Sequence, residues 1–187
     1  MMRNAALLNV GNNGEVQESA LLIAVPEAEG LVSSWRASYD DAARYGVPAH
    51  VTILYPFVAP ELIDEAIIAR VRRETSSHRP FPFSLVAARR FNDKILYLAP
   101  SPDETFRMLC STFYVAFPDN PPYEGRFEDV IPHLTVADNA PGAVLDEAEH
   151  DVSRGLPLQC FASELLLMTG STDVDSWRVR ERFALGE

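Results

Sequence analysis

The chain has 187 residues, 47% of them hydrophobic, which is enough to bury the core of one compact domain or of two small, closely packed lobes. Its formal net charge of -11 disfavours tight nonspecific binding to long nucleic acid, because an acidic surface repels a polyanion. The sequence contains no apolar run long enough to span a membrane and no glycine-rich nucleotide-binding loop.

The predicted elements alternate between strands and helices along the chain. We interpret residues 1–18, which include the stretch Gly11-Asn12-Asn13-Gly14, as a mobile tail, and residues 19–187 as one domain. Hydrophobic periodicity and proline positions predict strands at 20–25, 50–55, 83–91, 94–99, 131–137, 156–169 and 176–183, and helices at 27–45, 60–74, 102–117 and 141–152. The order of elements indicates an approximate internal duplication.

The N-terminal sequence and the cysteines favour a non-secreted protein. No small-residue cleavage site follows the short apolar patch near the N-terminus. Cys110 and Cys160 lack the CxxC spacing of a metal or redox site, so we interpret them as buried thiols in a reducing compartment. We therefore expect a cytoplasmic monomer that has no membrane partner.

The most informative feature is a tetrad of the form His-apolar-Thr-apolar that occurs twice. The two copies are His50-Val51-Thr52-Ile53 and His133-Leu134-Thr135-Val136, and each closely follows a proline. Alternate residues of a strand face the same side, so each His and its Thr share one face while the apolar residues face the core. Two such strands side by side would place two imidazoles and two hydroxyl groups on one surface.

This pair of tetrads fits general acid–base catalysis at a phosphodiester. An imidazole titrates near neutral pH, so one histidine can accept the proton of the attacking water while the other protonates the departing oxygen. The hydroxyl groups of Thr52 and Thr135 can donate to the non-bridging oxygens. This chemistry requires no metal ion and no cofactor, and it predicts a bell-shaped pH profile.

The paired tetrads resemble those of the 2H phosphoesterase superfamily, which includes bacterial RNA 2′,3′-cyclic phosphodiesterases, also called 2′-5′ RNA ligases. The resemblance covers residues 20–183. It implies an α+β fold in which two related lobes of antiparallel sheet and helices surround a central cleft. It also implies that His50 and His133 are the catalytic pair, that Thr52 and Thr135 bind phosphate, and that 2′,3′-cyclic phosphates are opened to 2′-phosphates.

The chain departs from the family after its second tetrad. Many RNA-active bacterial members carry an arginine there, whereas this chain reads Ala137-Asp138-Asn139. The aspartate and the acidic surface favour a small cyclic-phosphate nucleotide or an RNA end as substrate, without contact to long nucleic acid. We expect Arg126 to supply positive charge at the cleft, and Tyr123 or Phe127 to stack on a base.

Other interpretations of the tetrads remain open. A two-histidine metal site is disfavoured because neither histidine has a carboxylate or cysteine at ligand spacing. A non-catalytic module that binds nucleotides or RNA ends in the same cleft is one alternative, and ATP-independent 2′-5′ RNA ligation is another. His78 and His150 lie in polar segments and are interpreted as surface residues.

Overall fold

A computed structural model describes residues 17–126 and 129–186, which form two four-stranded antiparallel sheets and five α-helices. The predicted α+β class is therefore confirmed. Residues 1–16 of the predicted tail lie outside the described residues, and Glu18 is already the first residue of a strand. Among the described residues, no helix is both long enough and apolar enough to cross a membrane.

The elements follow one another as strand, helix and strand in each lobe. The strands are β1 (Glu18–Ala24), β2 (His50–Leu54), β3 (Phe81–Phe91), β4 (Ile95–Ser101), β5 (Leu134–Asp138), β6 (Leu158–Ala162), β7 (Glu164–Gly170) and β8 (Arg178–Ala184). The helices are α1 (Glu29–Tyr39), α2 (Asp41–Arg44), α3 (Glu65–Ser76), α4 (Glu104–Ala116) and α5 (Gly142–Ser153).

The two sheets have corresponding orders, and the strands with the tetrads occupy corresponding edges. The first sheet runs β2-β1-β7-β8 and the second β5-β4-β3-β6. Along both edge strands the apolar residues of the tetrad are buried and the threonine is only partly buried, as the period of two requires. The edge strands β2 and β5 also contact each other, so the two tetrads meet where the lobes meet.

Both edge strands contain a bulge at the same place in the tetrad. In the first sheet the register skips Ile53, which follows Thr52, and in the second it skips Val136, which follows Thr135. A bulge bends the strand and changes the direction of neighbouring side chains, and it is common beside active sites. This shared irregularity supports the predicted duplication at the level of single residues.

The lobes interlock through their crossover helices. Helix α1, which connects β1 to β2 in the first sheet, packs against β5 of the second, and α4, which connects β4 to β5, packs against β2 of the first. Buried residues of both tetrads, such as Val51 and Leu134, belong to one continuous core. Because the two edge strands are packed against this shared core, the lobes hold them in a fixed relation.

Three predicted boundaries are wrong for identifiable reasons. The helix predicted for 27–45 ends at Tyr39, because Asp40 is extended and its carboxylate accepts a hydrogen bond from the Ala42 amide to cap α2. The strand predicted for 156–169 is two strands, β6 and β7, which leave one sheet and enter the other. The strand predicted for 131–137 begins at Leu134, after Pro132, whose nitrogen cannot donate to a ladder.

Candidate active site

A cleft of about 480 Å³ lies between the lobes, and the histidine and threonine of both tetrads line it. His50 and Thr52 enter it from β2, and His133 and Thr135 enter it from the start of β5. The structure therefore brings together the four residues that the repeated motif singles out. Tyr123, from the loop between α4 and β5, also lines the cleft.

Each of the two histidines forms the same kind of hydrogen bond, from its ring to a backbone carbonyl. Nδ1 of His50 lies 2.7 Å from the carbonyl oxygen of Pro48, and Nδ1 of His133 lies 2.7 Å from that of Ile131. A carbonyl oxygen only accepts, so Nδ1 carries the proton in both rings and Nε2 is the nitrogen available to the cleft. Each ring is thus fixed in one orientation and one tautomer, with the exchangeable position at Nε2.

The surroundings of His50 oppose its positive charge. Burial and, to a smaller extent, the nearby Arg36 guanidinium together lower the pKa of His50 to about 4, although the hydrogen bond to the Pro48 carbonyl acts in the opposite direction. The charge of His133 also lowers the pKa of His50, so the two rings are electrostatically coupled. At neutral pH the imidazole of His50 is therefore uncharged.

His133 has a different environment, dominated by aromatic rings. Its ring meets those of Phe91 and Tyr97 edge to face, with centroids 5.1 and 5.6 Å away, and these two rings stack on each other at 4.0 Å. Burial lowers the pKa of His133, and its bond to the Ile131 carbonyl opposes this effect. The aromatic pair orients His133 in addition to its backbone bond.

Tyr123 is connected to the first tetrad. Its hydroxyl group hydrogen-bonds with the side chain of Thr52, and its backbone amide donates to the carbonyl of Tyr55 at 2.7 Å. Its backbone is left-handed, with φ of 50°, a conformation that costs energy for a residue with a side chain. Burial raises the pKa of Tyr123 to about 12, so its hydroxyl group remains protonated at neutral pH.

The position of Arg126 does not support the expectation that it supplies positive charge at the cleft. Its side chain is exposed and paired with Glu124, and it does not line the cleft. Phe127, the alternative stacking residue, lies outside the described residues. Among the described residues that line the cleft there is no arginine or lysine, so its histidines and hydroxyl groups are the side chains that could donate hydrogen bonds to an anion.

The sequence did not single out the acidic edge of this cleft, apart from Asp138. Glu18, Asp40 and Asp41 also line it, and the two aspartates lie close to Asp138. Burial raises the pKa of Asp138, and the charges of Asp40 and Asp41 raise it further. Glu18 reaches the cleft because its strand, β1, pairs with β2. Asp40 and Asp41 reach it because the chain breaks between α1 and α2, where the sequence pattern predicts one continuous helix.

A metal centre has little support from the donor set. Within 17–126 and 129–186, no three histidine, cysteine, aspartate or glutamate side chains are grouped so that they could hold a metal ion. Both cysteines are buried and unpaired, as expected, and burial raises the pKa of each thiol. The histidines instead have the Nδ1–carbonyl bonds described above.

Comparison with known proteins gives the same assignment as the tetrads. Residues 24–173 match the sequence profile of the 2′-5′ RNA ligase superfamily. A protein of Geobacillus kaustophilus named "Putative phosphoesterase" is 26% identical over 166 residues, which cover 84% of this chain and 90% of the relative. A protein of the same description from Bacillus cytotoxicus is 28% identical over 151 residues, covering 75% and 81%.

Solved structures with low sequence identity share the fold. The structure of Escherichia coli LigT with NADP+ has a TM-score of 0.59 and 17% identity, covering 91% of this chain and 98% of LigT. The protein TT0787 of Thermus thermophilus has a TM-score of 0.60 and 16% identity, covering 91% and 99%. With both tetrads on the matched residues, the chain belongs to the 2′-5′ RNA ligase superfamily of 2H phosphoesterases.

Proposed function

We propose that the protein hydrolyses a 2′,3′-cyclic phosphodiester of a nucleotide or RNA end to a 2′-phosphate by acid–base catalysis without a metal ion. Water attacks phosphorus, the bond from phosphorus to the 3′ oxygen breaks, and the products are a 2′-phosphate and a 3′ hydroxyl group. One histidine takes a proton from the water and the other gives a proton to the 3′ oxygen.

The observation that carries this proposal is the pair of matched histidines. Both Nδ1 atoms are committed to backbone carbonyls, so both Nε2 atoms remain for proton transfer in the same cleft. A single structural histidine would explain one such bond, whereas two in corresponding strands, each with a threonine beside it, fit a reaction that needs a base and an acid. Thr52 and Thr135 are neutral donors for the non-bridging oxygens.

The different environments of the two histidines indicate which one acts as the base and which one as the acid. We assign His50 as the base, because its pKa of about 4 keeps it unprotonated in the resting protein. We assign His133 as the acid, because the pKa of His133 is lowered without the additional effect of a nearby arginine. A bound phosphate anion would raise the pKa of His133 and favour its protonated form.

A small substrate fits the charge of the cleft better than a long one. The described lining contains four carboxylates and no cation, so each additional phosphate near this cleft adds repulsion. LigT, which shares the fold, has been crystallised with 3′-AMP, ATP, NADP+ and phosphate. These nucleotide complexes support a nucleotide as the substrate class here.

The direct test is product analysis by phosphorus NMR. The protein is incubated with each of the four nucleoside 2′,3′-cyclic phosphates in the presence and absence of EDTA. We expect a 2′-phosphate as the product, at the same rate with and without chelator. A 3′-phosphate, or loss of turnover with EDTA, would contradict the mechanism, and ligand protection without turnover would favour a non-catalytic binding module.

RNA ligation is a second candidate because the superfamily is named for it. Ligation is the same displacement with a different nucleophile: the 5′ hydroxyl of a second RNA takes the place of water, forms a 2′-5′ linkage with phosphorus, and the bond from phosphorus to the 3′ oxygen breaks. The protein's net charge of -11 opposes the approach of two RNA molecules. Gel analysis of labelled tRNA halves without ATP distinguishes the two reactions, and joined product would favour ligation.

A further inference from the structure

A second chamber of about 550 Å³ opens on one side of His133. It shares Ile95, Tyr123, His133 and Asp138 with the catalytic cleft, so the two spaces adjoin each other at His133. The chamber lies entirely on the side of the second lobe, because the rest of its lining comes from the β3–β4 turn and from the segments on either side of β5. A group that reacts beside His133 can therefore extend into it.

The walls of this chamber combine an apolar surface with amides at the rim. Phe91 and Ile131 line it, and the side chain of Ile131 is 40% exposed, so part of this apolar surface is open to a ligand. Asn92 and Asn139 stand at the rim in left-handed conformations with φ of 49° and 54°. An apolar wall with polar groups at its edge suits a flat heterocycle whose faces are apolar and whose edges carry donors and acceptors.

The rim also carries the only lysine in the sequence, Lys94. Among the described residues that line the two spaces, Lys94 is the single lysine or arginine. Its backbone carbonyl accepts a hydrogen bond of 2.9 Å from the Asn139 amide, which ties the β3–β4 turn to the loop after β5. The position of the lysine backbone is thus fixed relative to the chamber.

Two carboxylates share this lining, and each has a partner. Asp129 is bound by Arg107 at 2.8 Å, and Asp138 accepts a hydrogen bond of 2.8 Å from the Asn139 side chain. Within the part of the chain that the structure describes, the ammonium group of Lys94 forms no ion pair or hydrogen bond from which a ligand would have to displace it, and the side chain is exposed. A phosphate group at this rim would therefore meet one mobile cation close to the reacting centre.

We propose that the chamber binds the nucleoside part of a 5′-phosphorylated nucleoside 2′,3′-cyclic phosphate, with Lys94 at the 5′ phosphate and the base against Phe91 and Ile131. In such a nucleotide the base and the 5′ carbon project from the same face of the ribose, opposite the two oxygens of the cyclic phosphate. A cyclic phosphate held between His50 and His133 can thus direct both groups into one chamber. The inference rests on the proposed function.

The first test compares two substrates that differ only at the 5′ position. We expect adenosine 2′,3′-cyclic phosphate carrying a 5′ phosphate to have a kcat/KM about fivefold higher than the 5′-hydroxyl compound, the scale of one partly exposed charge-assisted contact. Lys94→Gln reduces this ratio to about one, and Lys94→Arg preserves it. Arg154→Gln, which neutralises an exposed cation directly after the end of α5, leaves the ratio at the wild-type value.

A ratio near one in the wild-type protein, or a ratio unchanged in Lys94→Gln, would overturn the inference. Turnover of neither compound would contradict the proposed function, and binding then decides the inference separately. By calorimetry, adenosine 5′-phosphate should bind about fivefold more tightly than adenosine, and this difference should disappear in Lys94→Gln. Equal binding of the two ligands, or binding of neither, would overturn it.

Discussion

Arg36 and Asp40 form an ion pair of 2.9 Å that is almost completely buried beside the strand of His50. Arg36 also donates to the carbonyl of Val47 at 3.1 Å, and Asp40 accepts from the amide of Ala42. The pair therefore joins the end of α1, the start of α2 and the segment that leads to His50, and it places a positive charge close enough to lower the pKa of that histidine.

Replacing Arg36 by Met should affect both stability and the catalytic base. The substitution leaves the Asp40 carboxylate buried without its partner, which we expect to cost about 3 kcal/mol of unfolding free energy. It also removes a positive charge, so the pKa of His50 should rise. Urea denaturation and an NMR titration of the His50 ring measure the two effects.

Arg44→Met provides the control for this substitution. Arg44 pairs with Asp41 at 3.0 Å on the surface, where an ion pair contributes little. We expect its unfolding free energy to stay within about 0.5 kcal/mol of wild type. An equal loss of stability in both variants would show that the buried pair has no special importance.

Removing either tetrad histidine should nearly abolish hydrolysis. His50→Ala and His133→Ala each delete one proton-transfer group, so we expect kcat to fall by at least about a hundredfold. Their far-ultraviolet circular dichroism should remain that of the wild type, because both rings are only partly buried. His150→Ala, on the exposed face of α5, is the matched control and should retain wild-type turnover. Activity that survives in His50→Ala or His133→Ala would contradict the acid–base assignment.

The two tetrad histidines should make folding stability depend on pH. The pKa of His50 is about 4 in the folded protein against 6.5 for an unperturbed histidine, so the unfolded chain binds the proton more readily. The resulting stability is fully present above pH 6.5 and is lost as the pH falls from 6.5 towards 4. The unfolding free energy lost over this pH range through His50 should reach at most about 3 kcal/mol.

Denaturant titrations at several pH values test this dependence. His50→Asn carries no titrating ring, so its unfolding free energy should fall less than that of the wild type over the same range. The lowered pKa of His133 acts in the same direction and remains in this variant. Identical pH dependence in the two proteins would contradict the lowered pKa of His50.

The two histidines and two threonines of the candidate site were predictable from the sequence, whereas their surroundings were not. The position of Thr52 two residues after His50, repeated at His133, fixes four side chains because a strand has a period of two. The acidic neighbours depend on contacts distant in sequence, such as those that bring Asp40 next to Asp138. Single-sequence periodicity contains no information about which loops converge.

Strand partners show the same limitation. The apolar run that became β6 and β7 reads as one strand, because a buried strand that changes sheets at Ser163 keeps its hydrophobic character on both sides. The bulges after Thr52 and Thr135 are equally hidden, since a bulge changes the register of pairing and not the sequence pattern. The duplication was nevertheless visible in the tetrads and in the order of elements.

Tyr123→Phe should slow the reaction without disturbing the fold. The substitution keeps the ring and removes the hydroxyl group that hydrogen-bonds with Thr52, so the threonine loses a partner that helps to position it. We expect kcat to fall about tenfold and the melting temperature to change little, on the scale of one hydrogen bond. Tyr114→Phe, on the exposed face of α4, should leave both unchanged. If Tyr123→Phe has the kcat of the wild type, the hydroxyl group of this tyrosine does not contribute to the reaction.

Asp138→Asn should improve the binding of anionic substrates. The charges of Asp40 and Asp41 already raise the pKa of Asp138, so these carboxylates repel one another and also repel a phosphate in the adjoining cleft. Removing one of them should lower KM about threefold for a nucleoside 2′,3′-cyclic phosphate at an ionic strength of about 0.01 M, while kcat changes little.

The salt dependence of this variant distinguishes electrostatic repulsion from a change of shape. At about 0.5 M salt the screening length falls to a few ångströms, so the KM values of Asp138→Asn and wild type should converge. Glu147→Gln, which removes one charge from the exposed surface of α5, should have the wild-type KM at both ionic strengths. If the threefold difference persists at high salt, the carboxylate affects KM through geometry, because screening would remove an effect of its charge.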